Sequence, residues 1–223
     1  MNVFLFVQLL VVVLSLILIF QSARRSFFKA VLPATFGAGV LLLMITLVLR
    51  SFKVFSYDLE HFIAADDSGM PYEVILSVFV LPFSGLAVYN FLNVRYPAQT
   101  FEKYSLAVSN ILMGLCIAMI FFAYTKWYPV ITFSLMLLVL FLVEYKNKIR
   151  FMYRFYRTYL VMLVVYLVMM VPFHYVNHFK YNEEQTVKFK LLYVPFEGYF
   201  LLFSGLLISI LLFEVFRRRF KLK

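Results

Sequence analysis

The sequence predicts an all-α polytopic membrane protein of about seven transmembrane helices, built as two parallel three-helix repeats joined by a linking helix. Three observations carry this. Of the 223 residues, 64% are hydrophobic and 14% charged, with a mean hydropathy of +0.91. A soluble domain holds about 45–50% apolar and about 25% charged residues. The apolar residues gather into seven runs, most near the ~20 residues that span a hydrocarbon core. Finally, two runs open on the same short pattern, Pro71-Tyr72-Glu73 and Pro195-Phe196-Glu197, 124 residues apart.

The runs lie at about 2–20, 30–49, 72–92, 106–124, 129–144, 158–175 and 195–216. Lipid offers a bare backbone no hydrogen bonds, so each run is expected to be helical. The first is read as a membrane helix and not a signal peptide. No basic residue precedes it, and Arg24 and Arg25 follow it. The loops at about 50–71 and 176–193 hold Asp58, Glu60, Asp66, Asp67, Glu183 and Glu184, six of the eleven acids, and each leads into a Pro-x-Glu helix. The fourth run carries Cys116, read as a small buried apolar residue; one cysteine excludes an internal disulfide. Tyr124, Trp127 and Tyr128 precede the fifth run as an interfacial aromatic belt. The sixth contains Pro172, grouped as structural with Pro71, Pro82 and Pro195. Asn177 beyond it is read as satisfying backbone freed by Pro172 or as lining a substrate, with both left open.

The first repeat covers 1–104, the linking helix 105–128 and the second repeat, with its basic tail, 129–223. The correspondence extends past the motifs: seventeen residues after each glutamate stand Asn90 and Glu214.

With the N-terminus outside, the inner segments carry Arg24, Arg25, Lys29, Arg95, Lys103, Lys146, Lys148, Arg150, Arg154, Arg157, Arg217, Arg218, Arg219, Lys221 and Lys223. These are fifteen of the 21 basic residues. That asymmetry implies an outer N-terminus and a cytoplasmic C-terminus, in a bacterial inner membrane. The net charge of +10 then reflects orientation and anionic headgroups, and no nucleic-acid partner is expected.

A single Pro-x-Glu reads as a helix cap, because proline suits the first turn and an acid there meets the positive end of the dipole. Two at matched membrane boundaries point to function, since ionisable groups at such depths are costly. Phe79, Phe83, Tyr199 and Phe200 would shield the carboxyls and raise their pKa, while the helix N-terminus pulls the other way; where desolvation wins, the neutral acid form results. Aromatic faces, 20% of the chain, stabilise a carbocation. The set suits proton-initiated chemistry on a lipid-dissolved alkene, with Glu73 and Glu197 as catalytic candidates. The substrate contacts would be Phe79, Phe83, Tyr199, Phe200 and Asn177.

The segments "VFSYDLEHF" and "GMPYEVILSVFVLPFSGLAVYNFLN" resemble the first half of the membrane-integral lycopene cyclases. This is the flavin-independent type found as two subunits or one fused chain. "YPVITF", "VPFHYVNHFKYNEE" and "YVPFEGYFLLFSGLLISILLFEVFRR" resemble the second half, so the likeness spans roughly 45–218. The family's mark is Pro-x-Glu-Glu or Pro-x-Glu-Asp in each half. Here Val74 and Gly198 stand where the second acids are expected, and Asn90, Phe55 and Thr46 replace further family residues. The resemblance implies cyclisation of a lipid-soluble linear carotenoid to β-rings. Glu73 and Glu197 would divide the acid and base roles, with no cofactor. Membrane lipids are the other expected partners, with room for a homo-oligomer or other carotenoid enzymes. The missing acids leave an alternative: a carotenoid- or isoprenoid-binding membrane subunit without the chemistry. Acids restored at Val74 and Gly198 are expected to raise conversion.

Other classes fit less well. His174 and His178 share a helical face, and only His61 joins them, too few ligands for an expected metal. The last helix lacks a retinal-binding lysine, and the midplane lacks the ionisable groups of transporters. Phosphate-loop and nucleophilic-triad motifs are missing from the sequence.

Overall fold

The computed structural model describes residues 3–22, 27–59, 62–66, 69–97, 102–146, 150–175 and 179–220, with side chains except those of 172–175. The seven runs are helices: α1 Val3–Ser22, α2 Phe27–Ser51, α3 Tyr72–Arg95, α4 Glu102–Phe122, α5 Trp127–Phe141, α6 Met152–Tyr175 and α7 Phe196–Arg219. Each is long and apolar enough to cross a membrane, α5 with the π-helical turn Leu142–Lys146 that extends it. The ends depart most at α6, which starts at Met152 and not near 158. Arg154 and Arg157 break the apolar run without breaking the helix, because arginine is a good helix former whose stem packs while its head reaches outward.

Helices α3 and α7 form the buried centre and touch each other. Helix α2 packs on both, and α6 packs on α3 and, less closely, on α7. Helix α1 lies against α3, α5 against α7, and α4 outside on α5. Exchanging α1–α3 for α5–α7 regenerates these pairings, as expected for two parallel repeats.

Between helices in lipid, close packing replaces the hydrophobic drive, so small residues mark the contacts. Ala30, Ala34 and Ala38 form a stripe on α2 with no exposed surface. A Cβ at Gly85 of α3 would stand 2.4 Å from Leu206 of α7. One at Gly39 of α2 would stand 2.3 Å from the Phe79 ring.

The loops after α2 and α6 each contribute a short strand, β1 Phe55–Tyr57 and β2 Phe179–Tyr181. They pair antiparallel, with Ser56 opposite Lys180 at the centre, and Phe55 opposite Tyr181 and Tyr57 opposite Phe179 on either side. The sequences are Phe-Ser-Tyr and Phe-Lys-Tyr, at the glutamates' own offset of 124. A two-fold relation between the repeats therefore passes through Ser56 and Lys180. Strands β3 Lys190–Leu191 and β4 Val194–Pro195 form a tight hairpin that delivers the chain to α7.

Candidate active site

Proline caps both motif helices in extended conformation, Pro71 at φ −61° and Pro195 at φ −58°, so each glutamate falls in the first turn. Both carboxyls are buried. Each Oε1 accepts a hydrogen bond from the backbone N–H ten residues upstream: Ile63 to Glu73 at 2.8 Å and Val187 to Glu197 at 2.6 Å. The donors are themselves 124 apart. In α1, the buried Gln8 amide donates to the Glu73 backbone carbonyl at 2.8 Å. On the other side, the Tyr128 N–H donates to the Gln185 carbonyl and Lys126 Nζ to that of Thr186, tying the loop that holds Glu197 to the start of α5.

Between the two motifs lies a cavity of about 130 Å³. A single water needs roughly 10–15 Å³ of such space. All but one of its lining residues fall into pairs 124 apart: Leu42 and Tyr166, Thr46 and Met170, Phe55 and Phe179, Tyr57 and Tyr181, Val74 and Gly198, Ser77 and Leu201, Val78 and Leu202, Leu81 and Gly205, Pro82 and Leu206. The cavity thus sits on the two-fold relation, and the residues following the two glutamates form facing walls. Pro82, inside α3, has no N–H to give the Val78 carbonyl.

The unmatched lining residue is Tyr128, whose counterpart 124 positions earlier is Phe4. The belt position expected for Tyr128 is corrected. Its neighbours Tyr124 and Trp127 are exposed, but Tyr128 is buried with its ring stacked on Tyr181 at 6.0 Å. Burial pushes the Tyr181 phenol far above its ordinary value, and the nearby Tyr57 phenol and Glu197 carboxyl push it further. Burial raises Tyr57 likewise, against the pull of the Arg50 guanidinium 6.0 Å from its ring. These phenols remain protonated at physiological pH.

The aromatic candidates lie elsewhere. Phe79 packs on Phe36 and Gly39, and Phe83 against the main core. The Tyr199 hydroxyl donates to the Leu191 carbonyl at 2.6 Å and so holds the β3–β4 hairpin. Phe200 packs tilted on Phe133 and lines a separate cleft of about 540 Å³ with Tyr104, Tyr156 and Tyr159. None of the four lines the central cavity. Asn177, His61 and His178 lie outside the described residues, as do the side chains of Pro172 and His174. At the opposite, basic end, Tyr89 donates to Glu214 Oε1 at 2.7 Å and Arg217 stands 3.7 Å from the same oxygen. Asn90 donates to Ser22 at 3.1 Å. That matched pair locks helices together, far along α3 and α7 from the motifs. Sequence reasoning missed the tyrosines of the cavity; the repeated Phe-x-Tyr at 55–57 and 179–181 was the available signal.

The family model for lycopene cyclase matches the chain twice, over residues 1–92 and 125–216. No curated protein and no solved structure matches it. The second match starts and ends 124 residues after the first, the spacing that also relates the glutamates, their backbone donors, the paired strands and the cavity walls. Matched over most of its length in both repeats, the chain belongs to the lycopene cyclase family.

Proposed function

We propose that the protein is a carotenoid cyclase that closes β-rings on the linear ends of a lycopene-like substrate, with Glu73 and Glu197 dividing the acid and base roles. The observation that carries this is the cavity between the motifs, walled by the residues that directly follow each glutamate. One carboxyl, in its acid form, supplies a proton to the terminal double bond of the substrate. The resulting tertiary cation is captured by the nearby internal double bond, which closes the six-membered ring. Loss of a ring proton to the second carboxylate completes an isomerisation with no net redox change. Tyrosine and phenylalanine rings around the cavity stabilise the cation through their π-faces. The basic residues at the far end of the bundle contact anionic headgroups, which sets an outer N-terminus and a cytoplasmic tail.

A second reading has its own support. Neither glutamate is among the cavity-lining residues, and each Oε1 is engaged by a loop N–H. Both then act as loop latches in a subunit that binds carotenoid without transforming it. Expression in bacteria that accumulate lycopene separates the two. General acid–base groups supply about 10²–10⁴ in rate, so Glu73→Gln and Glu197→Gln are each expected to abolish cyclic product at unchanged membrane levels. A well-expressed native chain that leaves only lycopene defeats the cyclase reading.

A further inference from the structure

The two-fold cavity is symmetric in position but not in chemistry. On the Glu197 side, Tyr166 and Tyr128 bring hydroxyls to the wall. Their counterparts on the Glu73 side are Leu42 and Phe4, which have none. The two hydroxyls converge on one spot: a Cβ built at Gly198 would stand 2.9 Å from the Tyr166 oxygen and 3.6 Å from that of Tyr128. Gly198 directly follows Glu197, whose side chain is fully buried. Glu197 Oε1 is held by Val187, while Oε2 is buried with no hydrogen-bond partner among the described residues. An unsatisfied buried oxygen of this kind is costly and calls for explanation by function or by an unseen proton partner. Glu73 is also held through Oε1, and its side has the Tyr57 phenol as counterpart of Tyr181, but none matching Tyr128 and Tyr166, because α1 carries Phe4 and α2 carries Leu42 at those places.

We propose that Glu197 is the proton donor of the cavity and that Tyr128, stacked on Tyr181, carries its proton to the substrate. This rests on the cyclase reading and assigns roles that reading leaves open. The step balances as follows. The Tyr128 O–H bond breaks as its proton joins the terminal alkene carbon. The Glu197 Oε2 proton then restores the Tyr128 phenol, leaving a carboxylate and a substrate cation. Ring closure moves the cationic centre inward, and the ring proton leaves toward Glu73. Exchange with solvent returns both carboxyls to their starting states. Glycine at 198 leaves room for the two hydroxyls to meet at the wall.

The full chain in detergent, given lycopene in D₂O, tests the assignment by mass spectrometry of the carotenoids. The native protein is expected to place one deuterium in each ring it forms. Glu73→Gln, which keeps the donor and loses the acceptor, is expected to place deuterium in recovered acyclic carotenoid. Glu197→Gln is expected to place none in any carotenoid. Tyr128→Phe keeps the ring and its stacking and is expected to lower both cyclisation and deuterium uptake at least about tenfold, within the range of a general-acid group. Tyr145→Phe, a phenol at the basic end bonded to Asn110, serves as the unaffected control. Deuterium absent with Glu73→Gln, or present with Glu197→Gln, overturns the donor assignment. Full activity and labelling in Tyr128→Phe overturns the phenol bridge while the cyclase reading stands. A native chain that forms no ring defeats the cyclase reading itself, and this assignment with it.

Discussion

Replacing Gly198 by alanine puts a methyl group where the Tyr166 oxygen would lie 2.9 Å away, closer than ordinary contact. Two effects oppose each other. Alanine is favoured over glycine in a helix by about 0.8–1.0 kcal/mol, and overpacking a well-filled site costs about 1–3 kcal/mol. The net for Gly198→Ala is a loss of about 0–2 kcal/mol, a fall of up to about 8 °C at roughly 2–4 °C per kcal/mol for a chain of this size. The Tyr166→Phe background removes the offending oxygen. The nearest remaining atoms are then Val194 Cγ1 at 3.4 Å and the Tyr128 oxygen at 3.6 Å, both tolerable. There the same alanine is expected to gain about 1 kcal/mol, so the double-mutant cycle gives a coupling of about 1–3 kcal/mol. Thermal melts of the detergent-purified protein, followed by intrinsic fluorescence, read all four variants. Equal shifts in both backgrounds refute the claim that the Tyr166 hydroxyl occupies this wall. A glutamate at 198 carries the same clash plus a buried charge, so Gly198→Glu is expected to lower folded protein and conversion. This reverses what the missing companion acid suggested from sequence.

The remaining predictions are compact. Cysteines at Ser56 and Lys180 are expected to form a disulfide under mild oxidation, because opposed antiparallel residues lie about 4.5–5.5 Å apart at Cα. Failure to crosslink in intact membranes would count against the strand pair and the two-fold relation. Gln8→Ala is expected to cost about 1–3 kcal/mol of thermal stability, since the buried Glu73 carbonyl loses its amide donor; an unchanged melt would show that the bond contributes nothing. Reporter fusions after Lys223 and within the loop near Lys188 are expected to report opposite sides of the membrane, the tail inside. The same compartment for both would contradict the charge-based orientation.

The helices were legible because apolar run length is a direct consequence of bilayer thickness. Their ends were less so, as at α6, where Arg154 and Arg157 extend a helix that hydropathy alone cuts short. The repeat was legible at Glu73 and Glu197, where a costly residue recurs. It was overlooked at Phe55–Tyr57 and Phe179–Tyr181, strands too short to carry a period-two pattern. The lining of the cavity was illegible for a different reason. Helices α3 and α7 are apolar nearly all round, so no hydrophobic face announces which side looks inward. Phe79 is turned away by its fit over Gly39, and Phe200 by its contact with the Phe133 ring, contacts that only tertiary structure reveals. Tyr128 read as interfacial because it follows Trp127, yet one step along a helix swings a side chain by about 100°.

The unequal walls of the cavity bear on the order of events for a substrate with two identical ends. On the proposed donor assignment, the wall with Tyr128 and Tyr166 faces one with Leu42 and the Tyr57 phenol, and only one orientation sets an alkene against the Glu197 donor. On the cyclase reading, a linear carotenoid then has one terminus processed per visit. To finish the other, the half-closed molecule must withdraw into the bilayer, reverse and return. Its rigid polyene cannot fold back within a space of about 130 Å³. Single-ended product should thus be released as a free species and compete with fresh lycopene for the same opening. The ratio of one-ring to two-ring carotenoid in a cell would then follow the supply of lycopene, rising when it floods the membrane and falling when it is scarce.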